Sequence, residues 1–233
     1  MPVVADPSIL VGADMFGQLD ETGRATVLQA GTLRQLAAGR IVFSQGDPGV
    51  TCHTLLEGRV KILQTRPDGG QSVIRFIGPG EMFGTVAALM DRPFPADAVA
   101  VVDSVEIYWT VAAMRRLMTH IPEIALRSTA SAGTRLFELQ SRVGQLSGER
   151  VEQRIARALV RLVQQAGRQT PEGMEIDFPI SRQELAEMTG STLHTVSRIL
   201  SAWDEAHITA SSRRHIVVVK PRALLAMAEG EVH

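Results

Sequence analysis

The groups best suited to chemistry in this chain lie between Pro179 and Trp203. Ser181 and Glu184 stand three residues apart in Ser181-Arg-Gln-Glu184, the spacing of a capping box, and Ile180 occupies the place of a hydrophobic staple. A helix is therefore expected to start at Ser181. Leu185 and Met188 give it an apolar side, and Ala186 is small enough for a second helix to approach closely. Gly190 can take the positive φ that ends a helix, and Ser191 is placed to cap the next one. In that second helix Val196, Ile199, Leu200 and Trp203 share one face, while Ser191, His194, Ser197, Arg198 and Ser201 fall on the other.

A polar face of this kind, on the second helix of a helix-turn-helix, carries groups that can read base edges in the major groove of DNA. Arg198 can donate two parallel hydrogen bonds to guanine O6 and N7. His194 offers one donor and one acceptor when neutral. Ser197 is short enough to bring the helix close and can meet a thymine or a phosphate. Ser181, Arg182, Ser191 and Thr195 are expected along the sugar-phosphate backbone. One exposed polar residue alone would be an ordinary solvated helix face, but these come as a set. Downstream, Ala206–His215 and Ile216–Val219 read as two strands joined by a basic turn, a wing whose Arg213 and Arg214 would meet phosphates.

The elements that must hold this motif change character along the chain. Asp20 to about Leu36 reads as mostly helical, with acidic residues at its start. After Gly39, apolar runs such as Arg40–Phe43, His53–Leu56, Val60–Leu63 and Ser72–Ile77 are separated by glycine turns, the texture of an antiparallel barrel or sandwich. Val99–Trp109 adds strands. Helical text resumes near Val111 and dominates from Pro122 to Gly167. Leu136, Leu139, Val143 and Leu146 follow a three-four step that makes a coiled-coil seam when two copies pair, and a homodimer follows. The same stripe could instead pack on the chain's own barrel. Ser147 and Gly148 interrupt the pattern as a hinge, with Ser147 placed to cap the next helix. Gly167–Asp177 reads as a loop or short hairpin. The fold class is therefore α+β: an antiparallel β domain with flanking helices at 1–121, a dimerisation helix and hinge at 122–147, and a winged helix-turn-helix at 148–233.

Composition bounds the function. A chain of 233 residues with 45% hydrophobic and 21% charged residues has the make-up of a soluble globular protein with room for two cores. Its net charge is −1, so any basic surface must be local. Cys52 is the one cysteine, which excludes an intrachain disulfide framework and a four-cysteine zinc or iron–sulfur site. No apolar run reaches the roughly 18 residues of a membrane span, and the first residues lack a signal-peptide pattern, so a cytoplasmic protein with no membrane partner is expected. His53 is the only histidine in the barrel region, too few for a metal-dependent enzyme of this shape.

Ser181-Arg-Gln-Glu-Leu-Ala-Glu-Met-Thr-Gly190 and Thr195-Val-Ser-Arg-Ile-Leu200 resemble the Crp/Fnr family of bacterial transcription regulators. Gly39–Asp47, Leu55–Lys61 and Gly78–Gly84 resemble successive turns of that family's cyclic-nucleotide-binding-type β-roll, so the likeness spans nearly the whole chain. It implies a β-roll sensor, a long dimerisation helix and a winged DNA-binding domain, acting as a homodimer on a palindromic site. It also implies contact with RNA polymerase through exposed loops such as Gln169–Glu172 and Arg66–Gly69. Members that bind cyclic AMP carry a glutamate after Phe-Gly and an Arg-Ser pair further on. This chain has Thr85 after Gly84, and Phe94-Pro95 in place of the pair, so cyclic AMP is not expected. With no cysteine before Cys52, the iron–sulfur branch is excluded. Haem ligands of the carbon-monoxide branch are missing after Met82-Phe83, which leaves His53, His120 and Cys52, each read first as structural or solvated. Many members have glutamate at the position of His194, so the base preference there should differ. Leu193–Trp203 is similar to the nitrogen-oxide-responsive NnrR subgroup, which implies nitric oxide as the signal and denitrification genes as targets, with haem as one receptor. Other readings are a different small-molecule or redox effector, or constitutive DNA binding.

Overall fold

The computed structural model describes residues 6–146 and 150–230, apart from the side chains of residues 135–136 and 138–146. Asp20 caps the first helix, α1 (Glu21–Gln29), by accepting from the Gly23 amide at 2.7 Å. The helix stops there, and Thr32–Leu36 is the strand β1, not a continuation of the helix. Gly31 explains the break: a Cβ there would lie 2.6 Å from Ile107 Cδ1 and 2.7 Å from Trp109 Nε1, so the backbone must press onto the sheet, where β1 then pairs with β8 (Ser104–Thr110). Helix propensity gives way to tertiary pairing.

The remaining strands of the roll are β2 (Ile41–Phe43), β3 (Thr51–Glu57), β4 (Val60–Thr65), β5 (Gln71–Ile77), β6 (Met82–Phe83) and β7 (Asp97–Ala100). They form two four-stranded sheets, β1-β8-β3-β6 and β2-β7-β4-β5. The first sheet alternates as its period of two demands. Cys52, Ile107 and Trp109 point outward into a core shared with Met15, Phe16, Val27, Met114 and Ile124. Leu36, Leu55 and Phe83 point inward to meet Phe43, Phe94 and Ala98. Trp109 is fully buried and donates its indole N–H to the Val27 carbonyl at 2.8 Å, so the ring adds burial without an unpaired donor. A short helix that the sequence reading did not anticipate, α2 (Thr85–Leu89), follows Gly84. Thr110 then caps α3 (Val111–His120), and α4 (Pro122–Leu146) follows.

The chain divides into two units, one of Met1–Gln64 with Phe76–Gly144, the other of Thr65–Arg75 with Gln145–His233. The second contains α5 (Val151–Ala166), β9 (Gly167–Thr170), β10 (Gly173–Ile176), α6 (Arg182–Thr189), α7 (Leu193–Glu205), β11 (Thr209–Ser211), β12 (Ile216–Val218) and α8 (Pro221–Glu229). Helix α5 begins after Arg150, so its cap is not Ser147, which with Gly148 lies outside the described residues. Ile155, Leu159 and Leu162 on α5, Leu185 on α6 and Leu200 on α7 are all buried, each contributing about 1.5–3 kcal/mol of apolar burial. Residues 167–176 form a hairpin whose strands join the wing in one sheet of order β11-β12-β10-β9. Among the described residues no helix is long and apolar enough to cross a membrane.

Candidate nucleic-acid interface and roll interior

The capping box at α6 is complete. The Glu184 amide donates to Ser181 Oγ at 3.1 Å, and Glu184 Oε2 accepts from the Ser181 amide at 2.9 Å and from its hydroxyl at 2.8 Å. Ser181 is thus committed to the helix start. Gly190 ends α6 with φ 59°, and the Ser191 amide also closes that helix by donating to the Ala186 carbonyl at 2.9 Å. Ser191 therefore belongs to the end of the first helix. The cap of α7 is Thr192, whose extended backbone lets Oγ1 accept from the Thr195 amide at 3.1 Å; the cap lies one residue later than the spacing suggested, and the recognition helix starts at Leu193. Thr195 is held in the same cap, its hydroxyl 2.9 Å from that of Thr192.

On α7 the two faces separate as expected. Val196, Ile199, Leu200 and Trp203 are buried, whereas His194, Arg198 and Ser201 are exposed and Ser197 is half-buried. Arg213 and Arg214 lie exposed in the turn between β11 and β12, which the Ser212 amide closes by donating to the His215 carbonyl at 2.8 Å. The helix face and the wing turn together hold His194, Arg198, Arg213 and Arg214 open to solvent, a set able to meet base edges and phosphates. Arg182 does not join them. It donates to Ser211 Oγ at 3.0 Å and lies 3.7 Å from Asp204 Oδ2, so its guanidinium is spent within the domain. Asp204, Thr209 and Ser211, the other members of that network, lie within seven residues of one another, but their link to Arg182 spans 29 residues and has no local signature.

In the roll, the residues flagged for an effector are mostly enclosed. Phe94 is 3% exposed and stacks on Phe43 with ring centroids 3.8 Å apart. Gly84 faces this stack with φ 71°, and a Cβ there would come within 3.2 Å of both Phe94 and His53. Thr85 is buried, while Pro95 is exposed. His53 is sealed into a polar chain: Nε2 lies 2.9 Å from Thr51 Oγ1 and Nδ1 3.1 Å from Glu106 Oε2. Glu106 is fully buried and also accepts from Arg34 Nε at 2.7 Å. With both ring nitrogens engaged, His53 does not fit as a haem ligand. His120 sits exposed in the last turn of α3, its Nδ1 2.8 Å from the Arg116 carbonyl. Cys52 is buried, which pushes its thiol up to about 12. The dimer residues Leu136, Leu139, Val143 and Leu146 lie on α4, but their side chains are outside the described set.

Residues 33–120 match the cyclic nucleotide-binding domain family, and residues 153–227 match the Crp-like helix-turn-helix domain family. The cyclic AMP receptor protein of Thermus thermophilus is 32% identical over 167 residues, covering 72% of this chain and 74% of that protein. The nitrogen fixation regulation protein FixK of Rhizobium meliloti is 30% identical over 187 residues, covering 80% of this chain and 82% of that protein. Among solved structures, FixK2 from Bradyrhizobium japonicum shares the fold with a TM-score of 0.74 at 20% identity, over 84% of this chain and 96% of that one.

Proposed function

Because the chain belongs to the Crp/Fnr family of transcription regulators, DNA-binding proteins and not enzymes, we propose that it acts as a homodimer on a palindromic site with one α7 in the major groove of each half-site. The observation that carries this is the division of α7: four buried apolar residues fix the helix, and His194 and Arg198 stand exposed on its other side. Arg198 reads guanine, His194 and Ser197 contribute to the neighbouring positions, and Arg213 and Arg214 meet phosphates from the wing. The seam Leu136, Leu139, Val143 and Leu146 pairs the two copies along α4, and Ser147-Gly148 serves as the hinge. The exposed turns Gln169–Glu172 and Arg66–Gly69 are available to RNA polymerase if the protein activates. The protein works in the cytoplasm, where its DNA is.

The signal is not cyclic AMP. A cyclic phosphate needs a cation and hydrogen-bond donors at the place of Phe94, and a buried, stacked phenyl ring supplies neither. Helix α2 turns Ala87 to the aromatic interior and Thr85, Leu89 and Met90 to a separate cavity of about 250 Å³, also lined by Met15, Met82 and Ser131. That cavity gives a small apolar effector room. The likeness of Leu193–Trp203 to the NnrR subgroup supports nitric oxide as the signal and denitrification genes as the regulon. Genome-wide mapping of bound sites with and without nitric oxide tests both statements. A palindromic motif upstream of nitrogen-oxide genes, with occupancy that changes on exposure, is expected; an unrelated regulon with unchanged occupancy overturns the nitric oxide reading.

A further inference from the structure

The wing is tied to the helix-turn-helix through one carboxylate. Asp204, in the last turn of α7, accepts from Thr209 Oγ1 at Oδ1 and from Ser211 Oγ at Oδ2, both at 2.6 Å. Arg182, the first residue of α6, donates to the same Ser211 hydroxyl at 3.0 Å and faces Asp204 Oδ2 at 3.7 Å. Three elements, α6, α7 and β11, therefore meet at Asp204. A second tie holds the tip of the wing: the Ile180 amide, just ahead of the capping box, donates to the Arg214 carbonyl at 3.1 Å. Arg213 and Arg214 lie between these two anchors.

The strands of the wing are only three residues each, and β12 is fastened to β10 over just two residue pairs, Met174–Val218 and Glu175–Val217, so the sheet alone does little to fix the turn ahead of Ile216. The pose of the two arginines must come from what the wing is fastened to. Charge points the same way. A bare carboxylate beside a phosphate-binding turn would repel DNA, and Arg182 supplies the opposite charge next to it.

We propose that Asp204 and Arg182 are positioning residues for DNA binding, which hold the wing where Arg213 and Arg214 reach phosphates while α7 reads bases. This assigns Arg182 a place behind the interface instead of a phosphate contact of its own, and it rests on the reading that the wing meets DNA. The consequence is separable from base recognition: loosening Asp204 removes the wing's electrostatic share and leaves the bidentate reading by Arg198.

The test measures affinity of the full-length protein for a duplex carrying a mapped site and for a scrambled duplex, at several salt concentrations. Each phosphate contact contributes about 0.9 to the slope of log affinity against log salt, so the double change R213A/R214A is expected to lower the slope by about 2 per chain. D204A is expected to lower it by a similar amount while keeping the ratio of specific to scrambled binding, and to add nothing further when combined with R213A/R214A. S211A, a gentler change that removes one tie, should move the slope in the same direction by less, and thermal unfolding of each variant shows that the domain is intact. Unchanged slopes in D204A and S211A, with R213A/R214A lowered, overturn the proposal, as does a further, additive drop in the combined variant. An unchanged slope in R213A/R214A overturns instead the reading that the wing meets phosphates.

Discussion

The roll and the winged domain use polar side chains in opposite ways. In the roll, buried His53 and Glu106 pair with each other and Glu106 with half-buried Arg34, close to a closed stack of Phe43 and Phe94. In the winged domain a half-buried polar network, Arg182, Asp204 and Ser211, fastens elements together and leaves Arg198, Arg213 and Arg214 at the surface. The difference is one of use: the roll turns its charged side chains toward a closed interior, whereas the winged domain uses them to fasten elements that carry exposed cations. On the function proposed above, its signal works by a route other than filling the family's nucleotide pocket. Regulation still requires that the effector bind one arrangement better than the other.

The sharpest way to break the comparison is to remove Phe94. A ring that is 3% exposed and stacked at 3.8 Å is a core residue, and Phe94→Ala should cost about 3–5 kcal/mol, read as a lower denaturant midpoint for the roll. A loss below about 1 kcal/mol, the size of a surface change, would show that Phe94 instead borders an open ligand pocket. Next in size is the base reader. Arg198→Ala should cost about 1–3 kcal/mol of discrimination per half-site and leave binding to scrambled DNA nearly unchanged. His194→Glu should move the preference at one position toward cytosine, whose N4 amino group a carboxylate accepts from. Competition with single-base variants of a mapped site checks both; equal losses on every duplex would mean that α7 does not read the groove.

What was legible in the sequence follows from whether the cause is local. The capping box at Ser181, the αL glycine at 190 and the buried stripe of α7 are short-range signals, and the structure has them. The one-residue shift of the cap from Ser191 to Thr192 has a local cause too: two candidate caps stand side by side, and the chain uses Ser191 to finish the earlier helix. The misreading of Thr32–Leu36 is different in kind. Its text is compatible with helix, and the strand forms because β8 is there to pair with it. The network at Asp204 joins Arg182 to Ser211 across 29 residues and could not be read from spacing. The substitutions at Thr85 and Phe94 told which ligand chemistry is missing, but the aromatic stack that replaces it needed Phe43 and His53 brought in from other strands.

The smallest effect concerns Cys52, and it bears on whether the roll's outer layer takes part in signalling. The side chain is fully buried beside Met82, Ile107 and Trp109, and burial pushes its thiol up to about 12. At neutral pH the group is a protonated thiol without the thiolate character that reacts with oxidants or disulfides. The native protein should therefore resist an aromatic disulfide reagent at pH 8, and only unfolding should release one reactive thiol per chain. The linkage runs in one direction: a thiol held protonated in the folded state contributes stability below its ordinary value of 9.0, and that contribution fades as pH rises toward about 12. Rapid labelling of the native protein would mean that this layer opens on the timescale of the reagent. The contrast would then be narrower, because the roll would keep its interior closed while exposing a redox-sensitive group behind it. Slow labelling, at the rate of global unfolding, would remove Cys52 from the candidates for a redox signal and leave the cavity beside α2 as the place to look for the effector.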